Sequence, residues 1–143
     1  MVDEKDRKIL QILMENARIP IVEIAKKIGL SDVAVKKRIL KLEKDGIIRK
    51  YTIIVDPEKL GYNSISIVGV DVEPEKLLSV VKELKEKDYV KCLAITTGDH
   101  MIVMTVWAEN NRKLTEIIQN IGSLEGVKKV CPSIVLEIVK EQL

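Results

Sequence analysis

Only Leu30 separates Gly29 from Ser31, and this junction constrains the chain more than any other stretch of it. Upstream, Ile21, Ile24, Ala25 and Ile28 recur at helical spacing behind Pro20, a good first-turn residue. Gly29 suits the left-handed residue that ends a helix, and Ser31 is a strong N-cap for the next one, Asp32 to Lys44. Two helices joined by so tight a turn cannot lie parallel. They must cross steeply, which is helix-turn-helix geometry. A preceding segment, "EKDRKILQILMEN", opens at Asp3 as N-cap and carries Ile9, Leu10, Leu13 and Ala17 on one face.

The helix after Ser31 holds Lys36, Lys37 and Arg38 in a row, at the centre of an element that must also pack. On a wheel of about 100° per residue, Val35, Ile39 and Leu42 cluster as the buried stripe. Lys37 and Lys44 then lie opposite, with Lys36 and Lys41 at the edges of that outer face. Such a face suits a polyanion, because the major groove admits one helix and its phosphate rims attract ammonium groups. Residues of the first turns, Ser31 to Lys37, would point at base edges while later lysines meet phosphate. Val33 and Ala34 are candidates for thymine methyls, and Lys36 or Lys37 for guanine. Asp32 either complements the helix dipole or accepts from a cytosine amine. Arg38 sits beside the buried stripe, a place that favours packing or a local salt bridge over base reading. Charge agrees with this division. Residues 1–50 carry 13 Lys/Arg against 8 Asp/Glu, whereas residues 51–143 carry 11 against 14.

Beyond Asp45-Gly46 the pattern turns to strands. "IIRKYTIIVD" reads as one or two short strands, a wing behind the helices, and Pro57 to Gly61 as a connection. From Tyr62 the order is strand "NSISIVGVDV", a helix after Pro74 with Leu77, Val81 and Leu84 inward, and strand "YVKCLAITT". A break at Gly98-Asp99 is followed by strand "MIVMTVWA", a helix from Asn111 to Ile121, and strand "VKKVCPSIVLEIV". This is β-α-β twice over, with "DYV" (88–90) and "EGV" (125–127) in equivalent places, the ferredoxin-like topology. The fold class is therefore α+β: a winged helix-turn-helix unit over 1–50, a linker strand and connection over 51–61, and a βαββαβ unit over 62–143. Two helices cover one side of a four-stranded sheet, yet Ile65, Ile67, Val103 and Trp107 are apolar on the other. The expected cover is a second copy, in an obligate dimer that can be one unit of a larger ring.

Composition excludes other classes. Charged residues make up 32% of the chain, and no run of about 20 apolar residues or signal-peptide pattern occurs, so the expectation is a cytoplasmic, non-membrane protein. Cys92 and Cys131 have no CxxC or Cys/His cluster spacing, so the sequence supports neither a disulfide framework nor a metal site. Both thiols read as ordinary buried residues. No Ser-His-Asp, Cys-His or paired-carboxylate constellation argues for an enzyme.

"LSDVAVKKRILKLEKDGIIRKYTIIVDPEKLG" resembles the signature of the Lrp/AsnC, or feast/famine, regulators. Leu30-Ser31, Val35, Arg38-Ile39, Leu42, Gly46-Ile47-Ile48, Tyr51, Asp56-Pro57 and Leu60-Gly61 carry the likeness, with "DRKIL" (6–10), "TTGD" (96–99) and "EGV". The resemblance implies dimers formed through C-terminal sheets, often assembled into octamers on pseudo-palindromic double-stranded DNA. It also implies an amino-acid effector held between subunits, and no cofactor. Thr96 and Thr97 offer hydroxyls, Gly98 permits close backbone approach, and Asp99 can take an ammonium group. By the same resemblance, Ser133 and Ile134 on the last strand complete the pocket. Met101 departs from the family, where an Asp is usual. That departure favours the rival reading, an architectural DNA binder indifferent to small molecules. His100 either contacts the effector or is a surface imidazole of the turn. A third rival, a tetrapyrrole decarboxylase of similar fold, would want several His or Arg near its ligand, and the chain has one His.

Overall fold

The Asp6 amide donates to the Asp3 carboxylate at 2.8 Å and the Asp3 amide to the Asp6 carboxylate at 3.1 Å, a reciprocal cap that starts helix α1 (Glu4–Glu15). The computed structural model describes residues Met1–Glu141, which form one unit over Met1–Val55 and another over Asp56–Glu141. The last two positions of the C-terminal unit expected over 62–143 lie outside the described residues.

In the first unit, α2 (Ile21–Ile28) ends on Gly29 at φ 70°, the left-handed conformation that a side chain would resist. Ser31 then caps α3 (Asp32–Lys44), its hydroxyl accepting from the Ala34 amide at 3.1 Å. Ile9, Ile24, Ala25, Val35 and Ile39 are buried together where the three helices converge. Beyond α3 the structure departs from the sequence expectation: no strand occurs among residues 47–56, and 49–56 makes no backbone–backbone hydrogen bond to any of the described residues. A β-ladder requires a neighbouring strand, and none of the described residues supplies one there. Tyr51 anchors the segment instead, donating to the Glu43 carboxylate of α3 at 3.0 Å. Partial burial, and then that contact, raise the phenol's pKa.

The second unit is an antiparallel sheet in the order β2-β3-β1-β4, built from β1 (Ser64–Val72), β2 (Val90–Ile95), β3 (Ile102–Ala108) and β4 (Val127–Ile134). Helices α4 (Leu77–Lys85) and α5 (Asn111–Gly122) supply the apolar cover on one side. Val68, Val70, Ile102, Met104 and Val106 meet Val80, Leu84, Leu114 and Ile121 there, all fully or almost fully buried. On α4, Val80 and the expected Leu84 are deeply buried, while the expected Leu77 and Val81 are only partly so. The last strand stops at Ile134, short of the expected end, and one further bond, from the Val135 amide to the Ile65 carbonyl at 2.8 Å, follows it. Leu136 and Val139 beyond it are 96% and 87% exposed.

Strand alternation places Ile65, Ile67, Gly69 and Asp71 of β1 on the helix-free face, beside Val103, Thr105 and Trp107 of β3. Lys129, Cys131 and Ser133 of β4 join them through the β1 register. The face is thus apolar but not uniformly so, with charged and hydroxyl groups among its aliphatic ones. Ile67 at its centre is 49% exposed.

Candidate nucleic-acid interface and effector turn

Helix α3 divides its surface as the wheel requires. Val35, Ile39 and Leu42 are buried, while Ser31, Asp32, Val33, Lys36, Lys37, Lys41 and Lys44 are exposed and Ala34 is half-buried. Among the described residues none of these four lysines forms an ion pair. Their charges stand free in a row on one side of a helix whose N-terminal end is exposed. Val33 is 77% exposed.

Arg38, counted among the candidate nucleic-acid residues of α3, is half-buried and partnered. Its guanidinium donates to Asp3 at 2.7 Å and to Asp6 at 3.0 Å, pinning α3 to the cap of α1. The guanidinium thus makes the local salt bridge that its place beside the buried stripe favours. The pairing, led by the hydrogen bond from Arg38, draws the Asp3 carboxyl down to about 2. Leu40, for which the sequence offered no clear role, is 55% exposed and lines a hollow with Met1, Val2 and Asp3.

The loop from Thr96 to Met101 closes β2 onto β3. The Thr96 hydroxyl donates to the His100 carbonyl at 2.7 Å and the Thr96 amide to the Met101 carbonyl at 2.9 Å. Gly98 holds φ 126°, open to Gly and strained for other residues. Thr97, Gly98 and Asp99 are exposed at the tip.

Three of the expected effector residues are not gathered at this tip. Ser133 pairs with Ile67 and Ile134 with Ser66, whereas the loop springs from Ile102, opposite Val70. The four-residue offset between Ser66 and Val70 puts Ile134 about 13 Å along the strand from the loop's root. The side chain of Ile134 also faces α5, lining a groove with Leu114 and Ile118. Met101 packs against the helix-side core. An apolar, flexible side chain gains more from that core than from the surface, whereas an Asp in its place would have turned outward.

The region described as "Winged helix-turn-helix DNA-binding" matches residues 2–49, and "Lrp/AsnC ligand binding domain" matches residues 65–143. The HTH-type transcriptional regulator LrpA of Pyrococcus horikoshii is 51% identical over 141 residues, covering 98% of this chain and 100% of the relative. The chain belongs to the Lrp/AsnC family of transcriptional regulators. Escherichia coli AsnC has the same architecture at TM-score 0.89 and 29% identity, over 100% of this chain and 97% of that one. A Neisseria meningitidis regulator solved with L-methionine shares the fold at TM-score 0.89 and 24% identity, over 99% and 94% of the two chains.

This Lrp/AsnC chain is accordingly a DNA-binding regulator and not an enzyme, with its helix-turn-helix in the first unit and its ligand-binding domain in the second. Among the described residues no helix is long and apolar enough to cross a membrane. What the sequence reading missed lies beneath the loop. The His100 ring rests on Gly69, where any Cβ would overlap it, and its Nδ1 stands 3.2 Å from the Asp71 carboxylate. His100 is thus not a free surface imidazole of the turn, since its side chain is only 30% exposed and partnered by Asp71. Cys131, paired with Gly69, borders the same spot. The signal was present: Gly69 and Asp71 share a face by strand alternation. Their partners come from remote strands, which alternation alone does not identify. Cys92, expected to be buried, is exposed on the outer strand of the sheet.

Proposed function

We propose that this regulator reads specific double-stranded DNA sites through α3, with Ser31, Asp32, Val33, Ala34, Lys36 and Lys37 toward the bases and Lys41 and Lys44 toward phosphate. The observation that carries the reading is the row of exposed, unpaired lysines behind the Ser31 cap, on the side of α3 opposite its buried stripe. The working unit is a homodimer joined through the helix-free sheet face around Ile67 and Trp107. Such dimers can assemble further, an octamer among the possibilities. Exposed Ile53 and Ile54 in the first unit, and Leu136 and Val139 in the second, have no strand partner among the described residues and are further surface for a second copy to cover. Its place of action is the cytoplasm.

The effector is an amino acid held between subunits. Thr97, Gly98 and Asp99 of one chain present amides, a hydroxyl and a carboxylate, and Thr96 braces the loop. Ser133 is offset along its strand from the loop's root, and in this reading the pocket draws the two from different subunits. The Neisseria regulator's complex with L-methionine supports this class of ligand. A second reading, an architectural DNA binder without an effector, is favoured by Met101 occupying core instead of lining a pocket.

Gel shifts of the intact chain on a randomised duplex pool, followed by footprinting, test the proposal. Selection of a two-fold symmetric site with half-sites about one or two helical turns apart supports it. Equal affinity for every duplex defeats the sequence-specific reading.

A further inference from the structure

Asp71 on β1, His100 in the β2–β3 loop and Cys131 on β4 bring one carboxylate oxygen, one imidazole nitrogen and one sulfur within 4.8 Å of one another. All three are half-buried. From these residues we infer a binding site for a divalent ion of the zinc class.

The geometry suits that ion. Ligands at the usual Zn–N and Zn–O lengths of about 2.0–2.1 Å span about 3.3 Å across a tetrahedron, and a thiolate at about 2.3 Å spans slightly more. The His100 Nδ1 to Asp71 separation of 3.2 Å matches the first of these edges, and closing Cys131 onto them takes a rotamer-scale movement. A mixed N/O/S donor set selects zinc over magnesium or calcium, which prefer oxygen alone. The position is built rather than incidental. Gly69 leaves the space in which the imidazole lies, and the Gly69–Cys131 pairing sets the thiol beside it. Binding converts the Cys131 thiol to thiolate, its proton passing to solvent as the sulfur–metal bond forms. Three protein ligands leave the fourth position to water or to a group on a bound molecule.

The ion would tie the loop that carries Thr97, Gly98 and Asp99 to strands β1 and β4. It thereby gives the regulator an inorganic input beside the amino-acid one. That regulatory sense rests on the effector reading above, whereas the metal site itself does not.

Cobalt(II) titration of the full-length chain decides the matter. We expect a thiolate-to-cobalt charge-transfer band and intense tetrahedral d–d bands that saturate at one cobalt per chain and disappear on addition of zinc. Cys131→Ser should abolish the charge-transfer band, while Cys92→Ser, at the opposite edge of the sheet, should retain it. His100→Ala and Asp71→Asn should each weaken zinc binding more than about tenfold. A wild-type chain that gives no charge-transfer band overturns the site, whatever the variants do. So does a band that survives Cys131→Ser. Amino-acid calorimetry on metal-free protein tests the effector separately, so either reading can fall alone.

Discussion

Arg38 on α3 and Asp3 at the cap of α1 meet at 2.7 Å across 35 positions of sequence. With Asp6 as second acceptor at 3.0 Å, one guanidinium closes the capping box of the first helix and orients the helix that carries the lysines. The bond fixes α3 against the start of α1.

The pair predicts an acid sensitivity of defined sign. Because Asp3 is held down to about 2 in the folded chain, its contribution to stability is present above the usual carboxylate range near pH 4. That contribution fades as pH falls from about 4 through about 2. Urea melts of wild type and Arg38→Met, followed by helix circular dichroism, should differ at neutral pH and converge at the acid end. A constant difference at every pH would separate Arg38 from the Asp3 carboxylate.

Lys37→Ala should weaken binding to the selected site by about 1–3 kcal/mol if the residue reads a base, and relax preference at one position. Equal loss on selected and random duplexes, with a salt slope reduced by about one unit, reassigns Lys37 to phosphate. Ser31→Ala should cost about 1 kcal/mol of stability through the lost cap, visible in thermal melts without DNA.

Trp107, the only tryptophan, stands on the helix-free face and reports on whatever covers it. Dilution of a dimer joined there should shift its emission to the red, in step with the mass seen by analytical ultracentrifugation. Ile67→Lys places a charge at the centre of the face and should yield monomers at concentrations where wild type is paired. Paired Ile67→Lys protein with unchanged emission would move the interface elsewhere.

Gly98 at φ 126° admits a side chain only at about 1–3 kcal/mol of backbone strain. Calorimetry against the twenty amino acids should find a binder for wild type and a weaker one for Gly98→Ala. No heat with any amino acid, on protein that still binds DNA, would favour the architectural alternative.

Much of this was legible in the chain itself. Caps at Asp3 and Ser31, the Gly29 stop and the apolar stripes are local, since a helix's start, end and buried face depend on residues within a few positions. Strand order followed from the β-α-β repeat for the same reason, because short right-handed crossovers leave few arrangements. The Tyr51 segment misled because alternation signals a strand without saying whether a partner strand exists.

Sequence alone determined the helix-turn-helix, the sheet and the placing of lysines opposite the core, all of which arise from short-range periodicity. Tertiary structure decided that Arg38 serves Asp3 and Asp6, that Met101 turns inward, and that His100 lies on Gly69 between Asp71 and Cys131. Those outcomes depend on which remote strands and helices become neighbours. A side chain's role is settled by the partner it meets there, and neighbours far apart in sequence leave no periodic trace along the chain.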